Sequence, residues 1–240
     1  MDIIFSVSSF TKRIIKKQGI KSKIRVLYPC IKKIQKINKT SRKLIGINKE
    51  SRVLLSVGRL IKRKGQERVI RLIPQLKKKF PGIKYLIVGN GPELKNINNL
   101  IGELNLKGEV LIFNNIEDKD LNIFYSACDL FILPCEFIPP NDVEGFGIVF
   151  IEANSFKKPC IGGFSGGVVE AILDKKTGLL INPKSSKDLL KKITLLLKNK
   201  KLMDKLGKTG FKRVSSVFNC SKNSILINEL ETIRGDRPHH

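Results

Sequence analysis

The sequence predicts a doubly wound α/β sheet, mostly parallel, with helices on both faces. Three observations lead there. Apolar runs of strand length recur as RVLLSV at 52–57, KYLIV at 84–88, VLIF at 110–113 and DLFIL at 129–133. Segments with helical apolar spacing separate them, and the turns between carry glycine, asparagine and proline. Strands buried on both faces read as continuous apolar runs, and strand–helix alternation at this rhythm builds parallel sheets.

The elements follow in order. DIIFSV at 2–7 reads as a short buried strand, Ser8 or Ser9 caps a helix through residues 11–17, and IRVLYP at 24–29 is a second strand. Residues 31–50 are Lys-rich and weakly periodic, as in a linker. After the 52–57 strand, a helix over 66–79 presents Val69, Ile70, Leu72, Ile73 and Leu76 on one face, and Pro81-Gly82 stops it. The 84–88 strand leads through Gly89-Asn90-Gly91-Pro92 into a helix ending near Glu103. Asp118 is the expected cap of a helix carrying Leu121, Phe124, Tyr125 and Cys128. A helix starting near Phe146, a strand at 159–161, the loop GGFSGG at 162–167, a strand at 178–181 and two helical regions complete the pattern.

With 240 residues, one domain with appendages fits better than two complete domains. Hydrophobic content of 41% suits a globular chain, and no run reaches the roughly 18 apolar residues of a membrane span. No secretory signal precedes the first strand, so the expected compartment is the cytosol. Cys30, Cys128, Cys135, Cys160 and Cys220 form no C-x-x-C pair and read as reduced thiols, with Cys128 and Cys160 as core filler. The two histidines, His239 and His240, close a GDRPHH end that has the look of a tag remnant, which argues against a His-based triad or zinc site.

The formal net charge is +25, with lysine spread over nearly every helical segment. It reads either as compositional bias or as attraction to an anionic membrane surface. Nucleic acid is a weaker partner, since no aromatic-interleaved motif or zinc-finger spacing accompanies the charge.

Chemistry concentrates in EFIPPNDVEGFGIVFIEAN at 136–154. Glu144 opens a Glu-Gly-Phe-Gly turn, and Glu152 follows with seven residues between, on the helix. Free N–H groups at that helix start, with the amides of Phe146 and Gly147, make a natural seat for phosphate. Two glutamates around a helix start also fit capping and a solvated face. Arg59 and Lys64, in GRLIKRKG directly after a strand, are cations that can grip phosphate oxygens, or else solvated charge in a basic chain. Gly89-Asn90-Gly91 suggests a dinucleotide loop, but Glu93 and Leu94 replace the third glycine and Asn114 stands where a ribose-binding acid belongs, so a nicotinamide role is not supported.

Together these motifs resemble the retaining glycosyltransferases of family 4, group 1, which have the GT-B fold; DVEGFGIVFIEA is nearest to members acting on phosphatidylinositol. The resemblance implies roles for individual residues. Arg59 and Lys64 would bind the diphosphate, Glu144 would meet the donor sugar near its anomeric carbon, and Glu152 would hold the ribose. Gly58, Gly89 and Gly91 would line the donor cleft, Ile116 would meet the base by its backbone, and Phe146 and Gly147 would offer amides. Ser165, Gly166 and Gly167 resemble the loop before the short helix facing the donor sugar, and Glu170 is equally a structural helix-start residue. This sequence departs from the family's usual wording at Pro29-Cys30-Ile31, more often a proline-asparagine-glycine turn, and at Asn115, where glycine is common.

On this resemblance 1–30 closes an acceptor domain, 31–50 is a linker, 51–215 binds a nucleoside diphosphate sugar, 216–235 is a helix crossing back, and 236–240 is the tag remnant. No cofactor or metal is expected. Hexose transfer, with a lipid-linked acceptor as one option, would need the missing N-terminal domain or a partner subunit. The alternatives are a basic nucleic-acid-binding protein and a sugar-nucleotide epimerase of the same fold.

Overall fold

Alternation within the apolar runs decides which layer each side chain enters. The computed structural model describes residues 3–31 and 40–220. Six strands, β3 (Arg52–Val57), β4 (Ile83–Val88), β5 (Val110–Phe113), β6 (Leu130–Leu133), β7 (Cys160–Gly163) and β8 (Gly178–Ile181), form one sheet in the order β5-β4-β3-β6-β7-β8, every pairing parallel. On one face Leu54, Tyr85, Ile87, Leu130 and Ile132 pack against α3 (Gln66–Lys79), α4 (Leu94–Glu103) and α8 (Ser186–Lys198). On the other, Val53, Leu55, Leu86, Val88 and Phe131 meet α5 (Leu121–Ala127), α6 (Ile148–Ser155) and α7 (Val168–Ala171). The long α9 (Lys200–Val217) contributes Met203 and Leu206 to the first layer and Val214 to the second. The doubly wound sheet is therefore as the sequence predicts.

α3 holds its full length despite an internal proline, Pro74. A proline inside a helix costs about 3 kcal/mol through its missing N–H and its clash with the preceding turn. Against this, Val69, Ile70, Leu72, Ile73 and Leu76 are all buried, and each fully buried aliphatic side chain contributes about 1.5–3 kcal/mol. Burial wins, and the helix continues.

A second, two-stranded parallel sheet pairs β1 (Ile3–Ser6) with β2 (Lys23–Val26), joined through α1 (Ser9–Lys17). β2 is shorter than the 24–29 expected, because Tyr28 turns away to pack between Phe146 and Phe218, with centroids 5.6 and 5.7 Å distant. A single turn, α2 (Ser41–Leu44), precedes β3, and its Arg42 pairs with Asp129 at 2.9 Å.

Three expectations need correction. Cys30 and Cys220 are joined in a disulfide, so the cysteines are not all reduced thiols; Cys128, Cys135 and Cys160 are free and buried. The joined pair lies 190 residues apart, and what brings it together is the pairing of Ile31 with Asn219 past the end of α9. Asp118 begins a short 3-10 turn, and Asp120, at the cap of α5, makes no side-chain capping bond. α6 starts at Ile148 rather than Phe146, because Gly147 takes φ 89° as its cap and turns Phe146 into the aromatic cluster. The expected linker falls outside the described residues at 32–39, as do the expected crossing helix beyond Cys220 and the expected tag remnant at 236–240.

Candidate functional site

β3 and β6 lie side by side, and from them the chain proceeds to opposite edges of the sheet. Such a switch point opens a crevice beyond the carboxyl ends of the strands, where ligands of these sheets bind. Two loops meet there: the 3-10 turn Lys62–Lys64 after β3, and the segment from Pro134 to Gly147 after β6.

At their meeting point Lys64 Nζ donates to Glu144 Oε2 at 2.5 Å and Arg63 Nη1 donates to the same oxygen at 2.7 Å. Arg63 also donates through Nε to Asp142 Oδ1 at 2.7 Å. The Arg63, Lys64 and Glu144 side chains are only 12, 12 and 13% exposed. Burial alone would push the Glu144 carboxyl up; Lys64 and Arg63 more than offset it and hold the group below its ordinary value. Cys135 lies beside it, Sγ 3.7 Å from Oε2, its thiol pushed up to about 12 by burial.

The glycine loops close around this cluster. A Cβ on Gly58 would lie 4.0 Å from Lys64 Nζ, and one on Gly147 would lie 3.7 Å from Glu144 Cγ. Gly167 N–H donates to the Glu144 carbonyl at 2.8 Å, and a Cβ there would come within 1.9 Å of the Gly145 oxygen. Gly166 faces the Glu144 carbonyl in the same way, and Gly89 and Gly91 lie against the backbone of Gly58 and Leu60. These glycines therefore let neighbouring loops touch one another, a demand distinct from approach to a ligand. The Ser165 hydroxyl is buried without a hydrogen-bond partner among the described residues.

Arg59 is exposed and has no ion-pair partner among the described residues, so it stands apart from the Lys64 cluster. The N–H groups of Gly147 and Ile148 meet no acceptor among the described residues, which leaves the positive end of α6 open beside Glu144. The Phe146 side chain is core; only its backbone belongs to the turn.

Glu152 occupies a separate place one face along α6. Tyr125 donates its hydroxyl to Glu152 Oε2 at 2.6 Å, and both line a groove of about 520 Å³ with Asp118, Ile148 and Ser155. Burial raises the Glu152 carboxyl above its ordinary value, and the Tyr125 bond only partly counters it. Ile116 packs on the apolar layer nearby.

Glu170 has a structural task. Its carboxylate accepts from Ser9 N at 2.8 Å, Phe10 N at 2.7 Å and the Tyr28 hydroxyl at 2.9 Å, and so caps α1 from across the molecule. Ser8 Oγ completes that cap by accepting from Thr11 N, and it donates to the Gly145 carbonyl at 2.6 Å. The small sheet is thus fastened to the Glu144 turn. The roles of Arg63 and Tyr125 are not legible in the sequence: the string KRK is the sole signal for Arg63, nothing in it distinguishes three adjacent cations, and Tyr125 reads only as a helix residue.

Among the described residues no group of three or more His, Cys, Asp or Glu is placed to hold a metal ion.

The family described as Glycosyl transferases group 1 matches residues 37–213. A GDP-mannose-dependent alpha-(1-6)-phosphatidylinositol monomannoside mannosyltransferase of Mycolicibacterium smegmatis is 35% identical over 127 residues, 52% of this chain and 33% of that protein. Its namesake in Mycobacterium tuberculosis is 28% identical over 181 residues, 75% of this chain and 46% of that one. The chain thus spans less than half the length of these curated relatives. Among solved structures, Anabaena HepE in complex with UDP-glucose superposes with a TM-score of 0.86 at 21% identity, over 96% of this chain and 63% of that one, a likeness of fold.

Proposed function

The chain belongs to the group 1 glycosyl transferases, and from that premise we propose that it binds the nucleoside diphosphate sugar for a retaining hexosyl transfer. The observation that carries the proposal is the Lys64–Glu144–Arg63 cluster at the switch point, beside the open end of α6. In the reaction the bond between the anomeric carbon and the phosphate oxygen breaks, and negative charge builds on the diphosphate. Lys64 and Arg59 stabilise that charge as fixed cations, and the Gly147 and Ile148 amides add oriented dipoles. Glu144, ionised at neutral pH, accepts from a donor-sugar hydroxyl near the anomeric carbon. Glu152, held by Tyr125 through one oxygen, offers the other to the ribose. The incoming hydroxyl bonds on the face the diphosphate leaves, and its proton passes to the leaving phosphate oxygen. The Ser165 hydroxyl is an unmet donor on the loop that packs against Glu144.

The acceptor site belongs to a further domain or partner subunit, which covers Phe5 on the two-stranded sheet and Val7 just past β1, 41 and 44% exposed. Two-stranded sheets depend on such cover. The acceptor is a hydroxyl compound, lipid-linked as in the mycobacterial relatives' names. No Asp or Glu occurs between Ile3 and Lys49, and Lys12, Lys16, Lys21, Lys23 and Arg25 cluster around α1 and β2. That lobe accordingly rests on an anionic membrane surface at the cytoplasmic face, each well-placed cation contributing about 1 kcal/mol. Binding to anionic vesicles that falls steeply with salt is expected; absence of binding at low salt refutes this part.

The deciding experiment is calorimetric titration with UDP, GDP, ADP and their hexose conjugates, with and without magnesium. Saturable binding to one base is expected, weakened about tenfold or more by Lys64→Met and by Glu152→Gln, since a charge-assisted bond is worth about 1.5–3 kcal/mol. Unchanged affinity in both variants would sink the site.

A further inference from the structure

Four charges alternate at the switch point: Asp142, Arg63, Glu144 and Lys64. Two negative and two positive groups leave the cluster neutral when no ligand is bound. Both cations contact the same Glu144 oxygen, Oε2, while Oε1 has no partner among the described residues. The two cations differ in freedom. Lys64 offers a point charge on a flexible stem, whereas the planar Arg63 guanidinium is fixed at two edges, by Asp142 and by Glu144. Asp142 is itself held: Ile138 and Asp142 exchange backbone hydrogen bonds of 2.9 and 3.0 Å, and the Arg63 carbonyl accepts from Glu136 N at 3.0 Å. Arg63 thus ties the loop after β6 to the turn after β3 at three points, through its carbonyl to Glu136 and through its guanidinium to Asp142 and Glu144.

We propose that Arg63 is a positioning residue of this site: it holds the Glu144 carboxylate in place when Lys64 turns away to a phosphate oxygen of the ligand. The inference rests on the nucleotide-sugar reading above. A ligand diphosphate competes with Glu144 for Lys64, because both are anions and the ammonium is the mobile partner. Without Arg63 the departure of Lys64 would leave Glu144 only 13% exposed and with no cation in contact, an unfavourable state that the loop relieves by moving. With Arg63, Oε2 stays occupied and Oε1 stays free to accept from the ligand. Arg63 itself touches no reacting atom.

The test compares wild type, Arg63→Gln, Arg63→Lys and Asp142→Asn by titration with UDP, GDP, UDP-glucose and GDP-mannose, together with hydrogen exchange on the ligand-free proteins. Asp142 is 52% exposed, so its variant keeps the fold even if Arg63→Gln does not. The expected result is a split. Arg63→Gln binds the bare nucleotide within about twofold of wild type. Its preference for the sugar conjugate over the bare nucleotide falls about tenfold, and Arg63→Lys restores part of it. Asp142→Asn shows the same split at smaller size. In the ligand-free state the Ile138, Asp142 and Gly167 amides exchange at least about tenfold faster in Arg63→Gln. Equal losses for nucleotide and conjugate, no loss for either, or no rescue by lysine would each overturn the positioning role. If wild type binds none of the four ligands, the nucleotide-sugar reading fails, and exchange alone decides Arg63: unchanged protection of the three amides overturns the proposal, faster exchange upholds its hold on the loop.

Discussion

Replacing Glu170 by Ala tests how the small β1–β2 lobe is attached. The Glu170 carboxylate serves the first two N–H groups of α1, while Ser8 serves the third. Removal leaves two helix-terminal donors without this acceptor and takes one bond from the Tyr28 hydroxyl. Loss of a cap costs about 1 kcal/mol, and loss of an anion from a helix N-terminus another 0.3–1 kcal/mol. About 2 kcal/mol in total, a factor of up to about 30 in population, is the expected shift toward the undocked lobe. Hydrogen exchange at Ser9 and Phe10, at pH 7, reads it directly. Exchange within about twofold of wild type would refute the reasoning, because the donors would then have had no dependence on Glu170. The pH dependence has a definite sign. Burial pushes the carboxyl up, but the Ser9 and Phe10 amides and Tyr28 bring it below its ordinary value. Its stabilisation is therefore complete above the ordinary carboxylate pKa and disappears as pH falls through the lowered one. The difference between wild type and Glu170→Ala should shrink along that path.

Other perturbations bear on the core and the crosslink. Phe131→Ala empties a fully buried position packed edge-to-face on Phe150, 5.5 Å between centroids, and urea unfolding should show a loss of about 3–5 kcal/mol. Gly167→Ala forces a methyl against the Gly145 carbonyl; a cost of about 1–3 kcal/mol is expected, and an unchanged denaturation midpoint would contradict the tight loop contact. Thiol titration of the unfolded, non-reduced protein should count three free cysteines, rising to five after reduction. Five before reduction would rule out the Cys30–Cys220 bond.

The sequence by itself determined the large sheet and its layering. β3, β4 and β5 are apolar runs whose alternate residues enter opposite layers, a consequence of side-chain period two. The helix from Gln66 to Lys79 was equally legible from its spacing, because a long apolar face outweighs one proline. Glu144, Lys64 and the glycine turns stand out in the sequence because each lies in the stretch that follows a strand. What the tertiary structure decided was who meets whom. That Lys64 and Arg63 share one Glu144 oxygen depends on β3 and β6 lying side by side, 70 or more positions apart in the chain, and three adjacent basic residues carry no local sign of which turns inward. Glu170 reads as the first turn of a short helix, yet its carboxylate serves α1 some 160 residues away. Cys30 and Cys220 are partners for the same reason. Local sequence encodes conformational preference and burial; charge pairing, capping across lobes and crosslinks arise only when packing brings distant segments within a few ångströms.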